Sequence, residues 1–266
     1  MDQFFALVLD IGHHWLMGFR GDLTRYIIAA PLTWLVLCVL LAPLLRGRKI
    51  RPDRPPARQH IIELLCSVRS VAVFSTVSLI ALGLEKAGLM WGGAWREQAG
   101  PVWIVASLAL TVVAHDAYFY WVHRAMHHPR LFRAFHRRHH RSHNPTPFTA
   151  YSFNIGEAAL MASFTVLWTL LVPISWVAFS IFMLHQIARN VIGHSGYELF
   201  PAGRDGKPLI DWMTTVTHHD LHHSQAGSNY GLYFTWWDRW MGTENPRYHE
   251  TFARVTAPRP ELAAAE

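Results

Sequence analysis

Three short stretches of this chain concentrate imidazole at regular spacing: HRAMH at 123–127, HRRHH at 136–140 and HDLHH at 219–223. A neutral imidazole is a strong ligand for iron, zinc or copper, and residues four apart on a helix share a face. His123 and His127 are therefore expected to project together. His136, His139 and His140, and again His219, His222 and His223, cover one helical face at i, i+3 and i+4. Eight imidazoles exceed what one four-coordinate zinc can use, so two metal ions are the simplest reading, with each box feeding both. His194 is the best ligand candidate outside the boxes.

Carboxylates beside metal-bound imidazoles orient them through the ring N–H that faces away from the metal. Asp116, one to two helical turns before His123, and Asp220, inside the third box, are the candidates for that role. His115 and His218 adjoin them as outer ligands or hydrogen-bond partners, and His185 lies about half a turn round from His194. His128 is a second choice beside His127. His13 and His14 read as interfacial, and His60, His143 and His249 as peripheral. Cys38 and Cys66 both lie in apolar stretches with no Cys-x-x-Cys pair, which excludes a zinc finger or a disulfide framework. The all-nitrogen donor set suits iron or zinc, and zinc alone has no redox chemistry. Two iron ions beside lipid would activate dioxygen for attack on an unactivated C–H bond, with zinc as a substitute in a purified sample.

The elements that must bring these rings together are apolar. Of 266 residues 51% are hydrophobic and 16% charged, which fits a membrane protein with a compact polar part. Residues 26–45 form a charge-free run long enough to span a bilayer, preceded by an amphipathic, interfacial helix that lacks the basic start of a signal peptide. A second run covers 64–84 and carries Arg69 near its start, and a third, 102–121, delivers the first box at its end. Residues 158–187 are too long for one ordinary span and contain Pro173, which predicts a helical hairpin. The expected fold is an all-α integral membrane bundle of about four spans, with a cytosolic helical cap carrying a polyhistidine dimetal site. Its divisions are an N-terminal membrane region 1–100, a catalytic region 101–245 and a tail 246–266 that ends frayed.

Arginine and lysine give the bundle a direction. Arg46, Arg48, Lys49, Arg51, Arg54 and Arg58 crowd the loop after the first span, and Arg124, Arg130, Arg133, Arg137, Arg138 and Arg141 interleave with the first two boxes. The loop between spans two and three balances Lys86 and Arg96 with Glu85 and Glu97. Two crossings separate the basic loops, so both face the cytoplasm, and the third box joins them if the hairpin returns. The net charge of +6 is thereby assigned to membrane orientation and not to nucleic acid. Only three lysines, Lys49, Lys86 and Lys207, accompany many arginines, which favours a bacterial inner membrane over endoplasmic reticulum.

Four stretches then carry a family resemblance: HDAYFYWVHRAMHH from His115, FHRRHHRSHNPTPFTAY from Phe135, HSGYE from His194, and THHDLHHSQAGSNYGLYFTWWDRWMGT from Thr217. Over residues 115–242 the chain resembles the fatty acid hydroxylase and sterol desaturase superfamily of membrane non-haem di-iron oxidases. The PTPF and NYGLYFTWWDR segments look most like its sterol C-5 desaturase (lathosterol oxidase) branch. The resemblance implies ligands at the eight box histidines and His194, a lipid substrate from the bilayer and dioxygen as co-substrate. It also implies a separate electron donor, cytochrome b5-like or a ferredoxin and reductase. This chain departs from the family at Asn190, where acyl 2-hydroxylases have a histidine four residues before the one matching His194; that ligand is then either lost, replaced by the Asn carbonyl or bridged by water. A second departure is Asn154-Ile155, where many relatives have His-Pro. Phe148, Tyr151, Phe153, Trp236 and Trp237 are candidates to shape the lipid cavity. The alternative reading is a histidine-rich membrane metal-binding protein or metal transporter, which needs polar groups along a path through the spans.

Overall fold

The computed structural model describes residues 2–91 and 100–257, so Arg96 and Glu97 of the expected loop and the tail from 259 onward lie outside the described residues. The first element, α1 (Asp2–Thr33), continues as a π-helix over Trp34–Leu40, making one apolar rod across Gln3–Leu40. The expected break between an interfacial helix and a span is absent. No proline precedes Pro31, and the isolated glycines before it cost too little to end a helix. Pro31 itself stays inside the helix, which widens to π geometry beyond it.

Next come α2 (Ala57–Lys86) and α3 (Pro101–Met126), and with the first rod they are, among the described residues, the three helices long and apolar enough to cross a membrane. Short helices α4 (Pro129–Phe135) and α5 (Arg137–His140) follow at the end of α3. Then α6 (Ile155–Leu171) and α7 (Trp176–Gly193) form the predicted hairpin around Pro173, with the Ser175 hydroxyl accepting from the Ala178 N–H at 3.1 Å to start α7. The bundle is thus three long apolar helices plus a hairpin of shorter ones. The cap is completed by α8 (Val216–Ser224), α9 (Trp236–Trp240) and α10 (Tyr248–Thr256), and no strand occurs among the described residues.

Hydrogen bonds between helices fix their directions. The Trp103 indole donates to Pro173 O, the Trp168 indole to Thr111 Oγ1, and the Tyr118 hydroxyl to Leu160 O, so α6 runs antiparallel to α3. The hairpin tip lies level with the start of α3, and both the start of α6 and the end of α7 return to the histidine end. On α2 the box end is marked by Gln59 donating to Asn144 O and Ser67 to Phe148 O, whereas Lys86 at the other end pairs with Asp10 of α1. Every box therefore meets at one end of the bundle. The basic loop after the first rod is there too: Arg48 donates to Glu198 O and Phe200 O, and Arg51 forks onto the Asp220 carboxylate at 2.9 Å through Nε and Nη2. Residues beyond 246 take part in this packing, since Tyr248 and Phe252 of α10 are fully buried with Leu221 of α8.

The link between boxes two and α6 is irregular backbone, and one buried carboxylate organises it. Glu63 of α2 accepts from Gln59 Nε2 (2.7 Å), Thr146 Oγ1 (2.5 Å) and Thr149 Oγ1 (2.9 Å) with no solvent exposure. Removing it leaves the two buried threonine hydroxyls without their acceptor, at about 1–3 kcal/mol each before relaxation, while Gln59 keeps its bond to Asn144 O. We expect Glu63→Ala to lower the thermal unfolding midpoint of the detergent-solubilised protein clearly, and a midpoint equal to wild type would show that this carboxylate does not hold the loop.

Candidate metal centre

The nine candidate histidines sort into two adjoining groups. His123, His127, His136, His140 and His222 form one, and His139, His194, His219 and His223 the other, with the potential ligand nitrogens of each group all within 4.8 Å of one another. The helices sort them by angle. Residues four apart stay together, and the residue at i+3 crosses to the other group. In the second box His136 and His140 belong to the five-histidine group and His139 to the other. In the third box the assignment is reversed, with His219 and His223 in the four-histidine group and His222 in the five. The first box feeds one group only, against the expectation that each box serves both. His136 is also not on a continuous helix: it is the junction between α4 and α5, with φ −128°, so its ring is aimed by a chain break and not by helical spacing.

The outward nitrogens set the chemistry of the inward ones. Nδ1 of His123 lies 2.9 Å from Tyr230 O, that of His222 2.7 Å from Ser228 O, that of His194 2.7 Å from Asn190 O, and that of His223 3.0 Å from Ser142 O. A carbonyl only accepts, so each Nδ1 must carry the proton and each neutral ring presents a bare lone pair at Nε2. Those Nε2 atoms face one another: 2.9 Å between His123 and His136, 3.0 Å between His140 and His222, 2.9 Å between His194 and His219, and 3.2 Å between His194 and His223. Lone pairs so placed repel. Ligands ~2.1 Å from a shared cation would sit ~3.0–3.4 Å apart at right or tetrahedral angles, so the donor set fits a metal ion in each group.

A buried carboxylate does orient one of these rings, and it is neither of those expected. Glu157 Oε1 accepts from His136 Nδ1 at 2.6 Å, both side chains being almost wholly buried. Its local signal is the Asn154-x-x-Glu157 capping box that starts α6, which the sequence reading passed over. Asp116 instead accepts from the backbone N–H of Tyr233 (2.7 Å) and Phe234 (3.3 Å). Asp220 is taken by Arg51. Asn190 also does not replace a ligand with its side chain, because its amide donates to Ala150 O at 3.0 Å and only its main-chain carbonyl serves His194. Of the remaining histidines, His115 bonds the Tyr233 hydroxyl, His185 packs on the Tyr233 ring, and His218 lies 3.6 Å from Asp238; none joins either group.

The segment that supplies two of the orienting carbonyls, 228–235, has no regular structure of its own. Asp238 holds it by accepting from the N–H groups of Tyr230 and Gly231, each at 2.8 Å, and Asp116 holds its far end. Asn229 adopts φ +60° and ties the segment to α8 by donating to His218 O. Gly231 is required: a Cβ there would stand 2.5 Å from Phe234 O. Asp238, within the quoted WWDR stretch, thus acts on the metal centre through backbone that sequence spacing does not reveal.

A cavity of about 300 Å³, mostly apolar, lies inside the bundle between α1, α2, α3, α6 and α7. A second, much smaller space lies against the rings of His123, His136, His139 and His194. Phe119, Phe153, Met161, Asn190 and Leu232 line both. Of the aromatic candidates, Tyr151 and Phe153 line the cavity. Phe148 packs against Trp34, Trp236 stacks on Phe234 and Trp237 on Tyr120.

Burial, reinforced by neighbouring imidazoles, holds the protonation of His127, His136, His139, His140, His219 and His223 well below the ordinary range. Burial also brings His194 and His222 down to about 4, partly countered by their carbonyl bonds. On unfolding each ring returns to about 6.5, so as pH falls below that value the unfolded chain binds protons that the folded chain refuses. We expect chelator-treated protein to be equally stable from pH 7.5 to 9 and to lose stability steadily from about pH 6.5 towards 4. Unfolding midpoints that match at pH 8 and pH 5 would contradict the neutral state assigned to these rings.

The model of the fatty acid hydroxylase family matches residues 108–243, which contain every histidine of both groups. Among curated proteins the chain is 30% identical to methylsterol monooxygenase 1 of Rattus norvegicus, covering 78% of this chain and 70% of that one. It is 28% identical to cholesterol 25-hydroxylase of Rattus norvegicus over 78% of this chain and 68% of the relative. The figure is again 28% for lathosterol oxidase of the same organism, over 68% and 60%. No solved structure matches. Near-equal identity to hydroxylating and desaturating enzymes means that no single one of them assigns the reaction here, but the match across both histidine groups is decisive for descent: the chain belongs to the fatty acid hydroxylase family.

Proposed function

We propose that this protein is a membrane-bound, dioxygen-dependent oxidase that hydroxylates or desaturates a lipid, with one iron ion held by His123, His127, His136, His140 and His222 and a second by His139, His194, His219 and His223. The observation that carries this reading is that a mostly apolar cavity inside the bundle shares a wall, Phe119, Phe153, Met161, Asn190 and Leu232, with a small space lined by rings of both histidine groups. A pair of redox-active ions there supplies the capacity to activate dioxygen against a C–H bond. The chain's own residues do the rest. Phe119, Phe153 and Leu232 exclude water and confine the lipid at the wall the two spaces share. Glu157 holds His136 in one tautomer and orientation.

The same layout argues against transport. The histidines gather at one end of the bundle beside a mostly apolar cavity, and no line of metal-binding groups crosses the long helices among the described residues. The shared end also carries the basic loops, which supports placing the boxes on the cytoplasmic side, within reach of a separate reductase or cytochrome b5-like donor. The low lysine content supports a bacterial inner membrane.

Three substitutions test the assignment. His139→Ala and His222→Ala, one in each group, should lower bound metal and abolish lipid turnover while membrane insertion persists; oxygen-dependent product from both variants would reject the ligand sets. Glu157→Gln should keep the fold and reduce metal affinity or turnover roughly 10–100-fold.

A further inference from the structure

The cavity is not apolar throughout. On α1, Asp22 and Arg25 line it one turn apart and pair with each other, and across from them Gln186 of α7 donates to the Tyr151 hydroxyl. Ion pairs are costly at bilayer depth, and side chains kept there mark a site where polar groups are used. The pair's side chains remain 32% (Arg25) and 17% (Asp22) exposed, and among the described residues neither makes any other hydrogen bond. The remaining guanidinium N–H groups and the second carboxylate oxygen are therefore left to whatever fills the cavity. Space is kept for it: Gly21 on the same face would, with a Cβ, meet nothing within 4 Å but the Arg25 guanidinium.

Resting on the lipid-oxidase reading above, we propose that Asp22, Arg25 and Gln186 form a polar anchor for one neutral hydroxyl group of the lipid, and so decide which carbon is presented to the metals. The selectivity follows from the pair itself. A hydroxyl accepts from Arg25 and donates to Asp22 at once. A carboxylate or phosphate head would gain Arg25 but confront the Asp22 carboxylate in a low-dielectric space, and a group that only accepts would leave Asp22 unserved. Geometry sets the reach. Gln186 and Asn190 on α7 and His194 at its C-cap follow one another at four-residue intervals, so the Gln186 backbone lies ~12 Å along the axis from that of His194. An alcohol anchored at this level extends its body past Phe153 and Leu232 towards the histidines.

The test uses full-length, iron-loaded protein in nanodiscs and three diazirine-bearing probes of equal chain length: a hexadecanol, its methyl ether and the hexadecanoate. Photolabelling is read by saturation, a measure that does not depend on turnover. Wild type should label with the alcohol at concentrations about tenfold below those needed for the ether or the carboxylate. Asp22→Leu/Arg25→Leu, which removes the pair without stranding a charge, and Gln186→Leu should each erase that preference while ether labelling and bound iron stay at wild-type values. Alcohol and ether labelling alike in wild type, a carboxylate preference, or an alcohol preference that survives the double substitution would overturn the anchor. A double variant that loses iron has lost its fold, and the proposal then stands or falls on Gln186→Leu and the wild-type probe series. An intact preference with no oxidised product from any lipid would sink the oxidase reading alone.

Discussion

Four hydrogen bonds from ring nitrogen to main-chain carbonyl govern this structure. By fixing the proton on Nδ1 of His123, His194, His222 and His223, the carbonyls of Tyr230, Asn190, Ser228 and Ser142 leave a lone pair on each Nε2, and those of His194 and His223 face each other at 3.2 Å. Such an arrangement is unfavourable for a protein alone and favourable around a cation, so folding energy is committed to a geometry that a metal completes. Most of the irregular backbone at this end of the bundle exists to place those carbonyls. The Asp238 and Asp116 carboxylates pin the 228–235 segment, Glu63 pins the 144–149 segment, and Glu198 ties the end of α7 to α8 by accepting from the Thr217 N–H at 2.8 Å.

The exchange of roles between the second and third boxes gives the two groups their closeness. Adjacent residues on a helix point about 100° apart, so His139 and His140, like His222 and His223, diverge into different groups from neighbouring positions. Because the i, i+4 pair belongs to one group in the second box and to the other in the third, each of these two short segments supplies both groups. The first box, at the end of a long apolar helix, and His194, at the end of another, then complete one group each.

The sequence showed much of this and missed a definable remainder. Histidine spacing identified eight of the nine rings that converge, with His194 added from outside the boxes, and basic residues together with the expected hairpin placed the three boxes at one end, because these signals are local or additive. Pro173 marked the hairpin for the same reason. The orienting groups were missed because three of the four carbonyls and the Glu157 carboxylate come from segments chosen by tertiary packing. Asp116 and Asp220 were nominated by proximity along the chain, and both instead anchor backbone or a basic loop. The single long rod at the start was misread since an apolar run of 26–45 stands out by hydropathy, while helix continuity depends on the absence of a breaker before it.

The family match begins at residue 108, yet Met17, Gly18, Gly21, Asp22, Arg25 and Phe74 form a wall of the cavity from α1 and α2. Both histidine groups thus lie wholly within the matched region, whereas the cavity shares its lining between that region and the first two helices. Substitutions in the first two helices can reshape the container, its length and its polarity, without touching a single imidazole or the carbonyls behind it. A scaffold divided in this way can pass from one class of hydrophobic molecule to another while its oxidising machinery stays as it is.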